Sequence, residues 1–360
     1  MPAPTMREYS QIYVLVVLMT LFGLAISSRG LAQQAVGPAT NHALLTRTAF
    51  LQMLDRPRVP LAAEVNALPG TEGLVYEHFT YAAEKAQRVP GILLKQDAGI
   101  RRPVVIVLHG TGGTKEGQLN LLKTLVGQGF MAVAIDGRYH GERQTGTGAT
   151  QYVEAMLQTY RTGQGRPFLY DTVWDVLRLI DYLESRPDVD AARIGLMGFS
   201  KGGMETYLAA AADSRIAVAV PMIGVQSFSW ALDNDMWMSR VGTFQAAVDA
   251  AAKDGSIGKV DAAFIRTFYD RVAPGIYTRF DGPAMLPLIA PRPLLVINGD
   301  SDDRTPLSGL TACITPTEQA YRNAGAPDRL KLYLQTDTGH AVTPAAIQTA
   351  TDWLVKWLKP

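Results

Sequence analysis

Short apolar runs alternate with amphipathic stretches along most of the chain. Continuous apolar runs at residues 103–110, 130–136 and 193–199 are typical of strands that are buried on both faces. Between them, residues 117–129 and 171–186 place apolar side chains at helical spacing. Strands that alternate with amphipathic helices predict a doubly wound α/β sheet with mostly parallel strands.

The same alternation extends towards both ends of the chain. Further strands are predicted at residues 74–83, 89–96, 216–224, 293–299 and 330–336, and further helices at residues 41–54, 201–212, 316–325 and 344–358. The Pro-rich residues 55–70 and the Gly-rich stretch up to about residue 167 are predicted to be loops. Residues 225–290 break the rhythm, because they are helical in propensity and stand between two strands. They predict a small helical cap over a pocket at the strand ends.

The N-terminal segment has the pattern of a cleavable secretory signal. Arg7 precedes an apolar run over residues 12–26, and small residues follow at 30–32. The run is shorter than the roughly 20 residues that span a bilayer, so we expect cleavage and export to the periplasm or medium, with no stable membrane insertion. The predicted organisation is a signal at 1–32, an N-terminal helix and loop at 33–73, and a main domain at 74–360 that carries an insertion at about 225–290.

Charge and cysteine content restrict the partners. The chain has 34 basic and 33 acidic residues, and loss of residues 1–32 leaves 32 of each. A net charge near zero provides no field that would attract nucleic acid or anionic lipid, so a small or neutral partner is expected. Cys313 is the only cysteine, which excludes an intramolecular disulfide and favours a buried apolar role.

A serine flanked by glycines follows one of the predicted buried strands. Residues 198–202 read Gly-Phe-Ser-Lys-Gly and fit the pattern G-x-S-x-G, directly after a strand and before a helix. In that position glycines permit the sharp turn that exposes a serine hydroxyl, and the next backbone N–H points at a developing oxyanion. The pattern predicts Ser200 as a nucleophile, although glycine–serine turns also occur without chemistry.

A serine nucleophile requires a base and an orienting carboxylate. Of the five histidines, His340 follows the last predicted strand and therefore lies at the same sheet edge as Ser200. Three acids, Asp300, Asp302 and Asp303, follow the preceding strand. The chain order Ser, Asp, His is that of strand-end triads, with Asp302 preferred and Asp303 and Asp300 as alternatives.

The Gly-rich loop after residue 108 is the predicted second arm of an oxyanion hole. The N–H of Thr111, or that of Gly112, is expected to join the N–H of Lys201. A nucleotide site is not supported, because both phosphate-loop patterns require glycine where Lys115 stands. The acidic cluster has a single neighbouring histidine, so we expect neither a metal nor a cofactor.

These motifs together resemble the α/β-hydrolase superfamily. Residues 74–358 are similar to dienelactone hydrolases, bacterial acetyl xylan esterases and the catalytic domains of prolyl-oligopeptidase-type peptidases, through the segments VLHGTGG, DGRYHGER, GFSKGG, GDSDDRTP and TGHAVTP. The resemblance implies an eight-stranded, mostly parallel sheet with helices on both faces and a triad of Ser200, Asp302 and His340. Dienelactone hydrolases of the type member use cysteine as nucleophile, whereas this chain has serine.

The predicted function is a serine esterase that cleaves carboxylic esters through an acyl-enzyme. Its expected substrate is a small-molecule or carbohydrate-linked ester. The alternatives are a small secreted peptidase or amidase with the same triad, and a non-catalytic binding protein on the hydrolase fold. Candidate pocket residues are Gly112, Tyr139, Met222, Phe228, Trp230 and Trp237. Aromatic residues at helical spacing also commonly form the core of a cap.

Overall fold

A nine-stranded sheet runs through the described part of the chain. The structure is a computed structural model that describes residues 38–69, 73–96, 99–146 and 148–359. The strands are β1 (Glu64–Leu68), β2 (Leu74–Glu84), β3 (Gln87–Gln96), β4 (Arg102–Leu108), β5 (Met131–Ile135), β6 (Val189–Phe199), β7 (Ile216–Met222), β8 (Leu294–Gly299) and β9 (Leu330–Gln335). Their order across the sheet is β1-β2-β3-β5-β4-β6-β7-β8-β9.

Strands β4 to β9 are parallel, and β1 to β3 form an antiparallel edge. The β2 and β3 strands make a hairpin, and β3 pairs antiparallel with β5. The mostly parallel α/β sheet is confirmed, but the sheet has nine strands where eight were expected. The additional strand, β1, lies in the segment that the sequence predicts to be a loop. It pairs only with β2 and is largely exposed, so no run of buried apolar residues announces it.

Helices cover both faces of the sheet. They are α1 (Pro38–Leu54), α2 (Leu119–Gly127), α3 (Thr150–Thr162), α4 (Tyr170–Glu184), α5 (Lys201–Ala212), α6 (Phe228–Asp233), α7 (Met238–Val241), α8 (Gln245–Asp254), α9 (Ala262–Val272), α10 (Gly282–Met285), α11 (Leu307–Asn323) and α12 (Pro344–Leu358). Helix α3 lies in a stretch predicted to be a loop. Its buried residues Tyr152, Met156 and Thr159 recur at helical spacing, which is the signal that the surrounding glycines obscure.

The central strand β4 shows why the sheet is sandwiched between helices. Its alternate residues Val104 and Ile106 join the hydrophobic cluster that contains α4 and α5. Val105 and Val107 point to the opposite face and join the cluster that contains α2 and α12. Because successive side chains of a strand alternate between faces, the continuous apolar run of β4 is buried on both sides.

The chain between β7 and β8 forms the predicted helical insertion. It contains helices α6 to α10, and several of its side chains lie over the end of β6. The predicted signal, residues 1–32, lies outside the described residues. In the described ranges no helix has both the length and the apolar character needed to cross a bilayer.

The parallel arrangement brings four loops to one edge of the sheet. The loops that follow β4, β6, β8 and β9 all leave from the carboxyl ends of their strands. The carboxyl edge of an open parallel sheet is where ligands commonly bind.

Candidate active site

Ser200 occupies a strained turn between β6 and α5. Its backbone has φ 53° and ψ −111°, a conformation that a residue with a side chain rarely adopts. The flanking glycines are required by close backbone packing: a Cβ on Gly198 would lie 2.3 Å from the carbonyl oxygen of Gly202, and one on Gly202 would lie 2.5 Å from that of Leu108. The Ser200 N–H donates to the carbonyl of Met222 at 2.9 Å, which fixes the turn against β7.

Two hydrogen bonds connect the three side chains expected to form a triad. His340 Nε2 lies 2.8 Å from Ser200 Oγ, and His340 Nδ1 lies 2.8 Å from Asp302 Oδ2. An ionised carboxylate only accepts, so Nδ1–H donates to Asp302 and Nε2 is left to accept the serine proton. The side chain of Asp302 is fully buried, and that of His340 is 17% exposed.

The loop after β8 holds the Asp302 carboxylate. Oδ1 accepts hydrogen bonds from the N–H groups of Arg304 at 2.9 Å and Thr305 at 3.2 Å, and Oδ2 accepts from Thr305 Oγ1 at 2.6 Å. Burial by itself would raise the pKa of Asp302, but the hydrogen bonds from His340 and Thr305 outweigh it and hold the pKa below its ordinary value. The carboxylate is therefore charged at neutral pH.

The other two acids of the cluster have different positions. Asp300 accepts hydrogen bonds from the N–H groups of Asp337 at 3.1 Å and Thr338 at 3.2 Å, and so ties the loop after β9 to the loop after β8. Asp303 is exposed and lines the cavity beside Ser200. Neither hydrogen-bonds to His340, so the geometry favours Asp302 among the three.

The Gly-rich loop after β4 packs against the Ser200 turn. A Cβ on Gly110 would lie 3.6 Å from Ser200 Cβ, and Thr111 lines the same cavity as Ser200. His109 braces this loop: its Nδ1–H donates to the Gly110 carbonyl at 2.8 Å, and its Nε2 accepts from the N–H of Gly137 at 3.0 Å. Burial, aided by a nearby ammonium group, lowers the pKa of His109 to about 3, so this ring is neutral.

The side chain of Lys201 is buried inside the protein. It is 2% exposed, and its Nζ donates to Glu205 Oε1 at 2.5 Å, one turn further along α5. Burial raises the pKa of Glu205 although Lys201 opposes this effect. The sequence predicts a role only for the Lys201 N–H, whereas the structure adds a buried ion pair with Glu205. The i, i+4 spacing was the available signal.

A cavity of about 450 Å³ opens beside Ser200 and His340. Its volume is within the range of small-molecule sites. The insertion contributes much of the wall, together with residues of the strand-end loops: Thr111, Phe168, Ser200, Lys201, Met204, Ile223, Gly224, Asp235, Met236, Met238, Ser239, Arg240, Gly242, Thr243, Gln245, Asp303, Arg304, Thr305 and His340. Within the described ranges, no group of three or more His, Cys, Asp or Glu side chains is placed to hold a metal ion.

None of the six residues expected to form the pocket is among the residues that line this cavity. These residues are Gly112, Tyr139, Met222, Phe228, Trp230 and Trp237. Met222 is buried among the residues that pack against α2 and α12, and Phe228 is buried against Phe168 and Tyr269.

The remaining four also lie elsewhere. Tyr139 borders a separate surface groove, and Trp237 packs against the larger of the two hydrophobic clusters. Gly112 and Trp230 are absent from the cavity wall. Met236, Met238 and Arg240 line the cavity instead, while the ring of Phe228 is fully buried.

Comparison with known proteins places the chain among esterases. The family model described as "Glucuronyl esterase, fungi" matches residues 101–325. The chain is 29% identical over 324 residues to YtaP of Bacillus subtilis (strain 168), which is provisionally described as a hydrolase; the match covers 86% of this chain and 97% of YtaP.

A fungal enzyme and a solved structure are also similar to this chain. The 4-O-methyl-glucuronoyl methylesterase of Hypocrea jecorina (strain QM6a) is 28% identical over 193 residues, which are 49% of this chain and 40% of the fungal enzyme. The acetyl xylan esterase from Paenibacillus sp. R4 superposes with a TM-score of 0.60 at 20% identity, over 89% of this chain and 95% of that one, and therefore shares its fold. The chain belongs to the glucuronyl esterase family, within the α/β-hydrolase superfamily, and is a carboxylic ester hydrolase.

Proposed function

We propose that Ser200, His340 and Asp302 are the catalytic triad of this esterase. The observation that carries the proposal is the continuous chain of two 2.8 Å hydrogen bonds from Asp302 through His340 to Ser200. The N–H groups of Lys201 and Thr111 are assigned to the oxyanion hole. Both residues line the cavity at the Ser200 hydroxyl, and Lys201 begins helix α5, whose N-terminus favours negative charge.

The reaction follows from these positions. His340 Nε2 takes the proton of Ser200 Oγ while Oγ bonds to the ester carbonyl carbon, and the carbonyl oxygen becomes an oxyanion held by the two N–H groups. When the tetrahedral adduct collapses, the C–O bond to the alcohol breaks and His340 returns the proton to the leaving oxygen. Water then attacks the acyl-enzyme by the same route and releases the acid. Asp302 keeps the imidazole in the required tautomer throughout.

The proposal extends to the substrate, which is a small-molecule or carbohydrate-linked ester. The walled cavity of about 450 Å³ supports it, because it has room for a small acyl or alcohol group and not for a folded protein chain. The relatives named for glucuronoyl methyl esters and for acetyl xylan support the carbohydrate-linked class.

We also propose that the protein is exported, on the leader-like pattern of residues 1–32. N-terminal sequencing of protein recovered outside the cytoplasm tests this directly. A start near Gln33 supports cleavage of the leader, and an intact Met1 contradicts it.

The triad is tested with Ser200→Ala and the matched control Ser301→Ala, an exposed serine on the loop after β8. Hydrolysis of p-nitrophenyl acetate and of methyl glucuronate is followed, together with labelling by a fluorophosphonate. We expect Ser200→Ala to lose on the order of 10⁴-fold or more in rate and to lose the label, because the nucleophile is gone. The control variant is expected to keep both. Turnover by Ser200→Ala at the wild-type rate, or a label on another residue, would show that the assignment is wrong.

A further inference from the structure

One buried cation in the wall of the cavity forms no ion pair with any acidic side chain that the structure describes. Arg240, in helix α7 of the insertion, is 7% exposed and lines the same cavity as Ser200 and His340. Within the described part of the chain, no carboxylate oxygen lies within 4.0 Å of its guanidinium nitrogens, since Arg240 forms none of the ion pairs found there. A buried guanidinium stays protonated even though burial lowers its pKa.

The contacts of Arg240 hold the side chain in place and leave its outer nitrogens available. Nε donates to Ser239 Oγ at 3.3 Å, and the guanidinium stacks over the ring of Phe228 at 5.4 Å. The backbone is fixed as well, because Tyr269 Oη donates to the Arg240 carbonyl at 2.8 Å. Neither Nη atom has a hydrogen-bond partner among the described residues and neither is sealed from solvent, and Arg240 is one of the residues that line the cavity.

Other buried cations near the nucleophile show the contrast. Lys201 pairs with Glu205, and Lys115 Nζ lies 2.8 Å from Asp136. Elsewhere under the same sheet edge, Arg138 pairs with a fully buried aspartate at 3.0 Å. Proteins normally pair a buried charge with an opposite one, because an unpaired charge is costly to desolvate. An unpaired guanidinium that faces a cavity is therefore suited to an anion that arrives with the ligand.

The carboxylates around the cavity do not form an ion pair with Arg240: Asp302 and Asp281 favour its charged form only from beyond 4.0 Å. Asp235 and Asp303 are exposed residues of the wall, and both lie farther than 4.0 Å from Arg240. Arg304 is also an exposed residue of the wall. The apolar side chains of Met236 and Met238 line the wall next to Arg240 and provide contact for a short carbon chain between the anion and the ester.

We propose that Arg240 binds a carboxylate of the substrate, and that this esterase prefers esters that carry a second, free carboxylate. A guanidinium binds a carboxylate through two parallel N–H···O bonds, which matches its two available Nη groups. The inference rests on the proposed function, since it names the substrate class of the same site. It also differs from a methyl glucuronate substrate, in which the single carboxyl group is held in the ester.

The wild-type protein is tested first with two matched pairs of esters. Monomethyl adipate is compared with methyl hexanoate for the acyl side. The acetate of 4-hydroxyphenylacetic acid is compared with that of 4-ethylphenol for the alcohol side. We expect the charged member of one pair to have a kcat/KM about tenfold or more above its neutral partner, the effect of a charge-assisted pair. Free adipate is expected to inhibit hydrolysis of the neutral ester competitively. Preference for the neutral member in both pairs, without inhibition, would overturn the proposal.

Variants then assign the preference to a residue. Arg240→Met removes the charge and keeps an unbranched side chain, so the charged-to-neutral ratio of kcat/KM should fall about tenfold; Arg240→Lys should restore part of it. The matched control is Arg279→Met, because Arg279 stacks over Phe280 at 5.3 Å in the same insertion but is exposed outside the cavity. A fall of the ratio in Arg304→Met instead of Arg240→Met would contradict the assignment.

Separate measurements test the role of Arg240 and the assignment of the triad. Fluorophosphonate labelling of Ser200 in each variant reports a folded, reactive site independently of substrate charge. An unchanged ratio in a labelled Arg240→Met refutes the role of Arg240 and leaves the triad standing. Should Arg240→Met fail to label, the wild-type ester pairs and the adipate inhibition still decide. Activity in Ser200→Ala refutes the triad whatever the ratio.

Discussion

Replacing Lys201 by methionine is expected to lower the thermal stability of the protein strongly and to slow catalysis only slightly. The substitution keeps the backbone N–H assigned to the oxyanion hole but removes the partner of Glu205, whose side chain is 1% exposed. Breaking a buried ion pair by removing one member costs about 3–5 kcal/mol, because the remaining charge is buried without compensation. For a unit of the size of Ala43–Pro360 the entropy of unfolding is roughly 0.65 kcal/mol per kelvin, so Tm should fall by roughly 5–8 °C.

The fall in Tm caused by Lys201→Met should depend on pH. Burial already raises the pKa of Glu205 in the presence of Lys201, and without the ammonium group the pKa rises further. A carboxyl whose pKa is raised in the folded state becomes neutral there as the pH falls, so its burial costs less at low pH. The difference in Tm between wild type and Lys201→Met should therefore be smaller at pH 5.5 than at pH 8.

The assay is thermal and denaturant unfolding of Lys201→Met, Glu205→Gln and the double variant Lys201→Met/Glu205→Met at both pH values. Replacing both members by apolar residues of similar size is expected to recover most of the loss, because no unpaired charge remains. Turnover per fluorophosphonate-labelled site in Lys201→Met should stay within about tenfold of wild type, unlike Ser200→Ala. A Tm unchanged within 1 °C, or a double variant as unstable as the single one, would refute the reasoning.

Further outcomes concern the acid and the buried histidines. Asp302→Asn should lower kcat on the order of 10⁴-fold, because the amide no longer holds the required tautomer of His340. Asp303→Asn should change kcat by less than tenfold. Steady-state kinetics on p-nitrophenyl acetate measures both values. Burial lowers the pKa of His109 and of His140 to about 3. Below pH about 6.5 these two histidines are therefore protonated in the unfolded chain but neutral in the folded chain. The free energy of unfolding consequently falls as the pH is lowered towards 3. His140→Gln should reduce that slope by about 1.4 kcal/mol per pH unit in denaturant unfolding between pH 4 and 6, and an identical slope in both proteins would contradict the buried, neutral state of this ring.

The local sequence pattern is sufficient to predict the framework of the fold and part of the candidate site. The apolar run of β4 predicts a strand buried on both faces because side chains alternate, and this is how its valines are placed. The Gly-Phe-Ser-Lys-Gly turn is predictable because only glycine tolerates the backbone contacts at Gly198 and Gly202. The position of His340 follows from topology, since parallel strands end at one edge.

Packing between residues that are distant in the chain decides the remaining features of the fold and the site, and no local sequence pattern predicts them. The hydrogen bond from His340 to Asp302, and not to Asp300 or Asp303, depends on how two loops meet across 38 residues of chain. The exposed strand β1 exists through pairing with β2 alone. Arg240 and methionines of the insertion line the cavity while Phe228 is buried in the core, because side chains of a helical insertion divide between core and cavity only once its helices have packed. The sequence thus determined which residues reach the sheet edge, and tertiary structure determined which of them meet there.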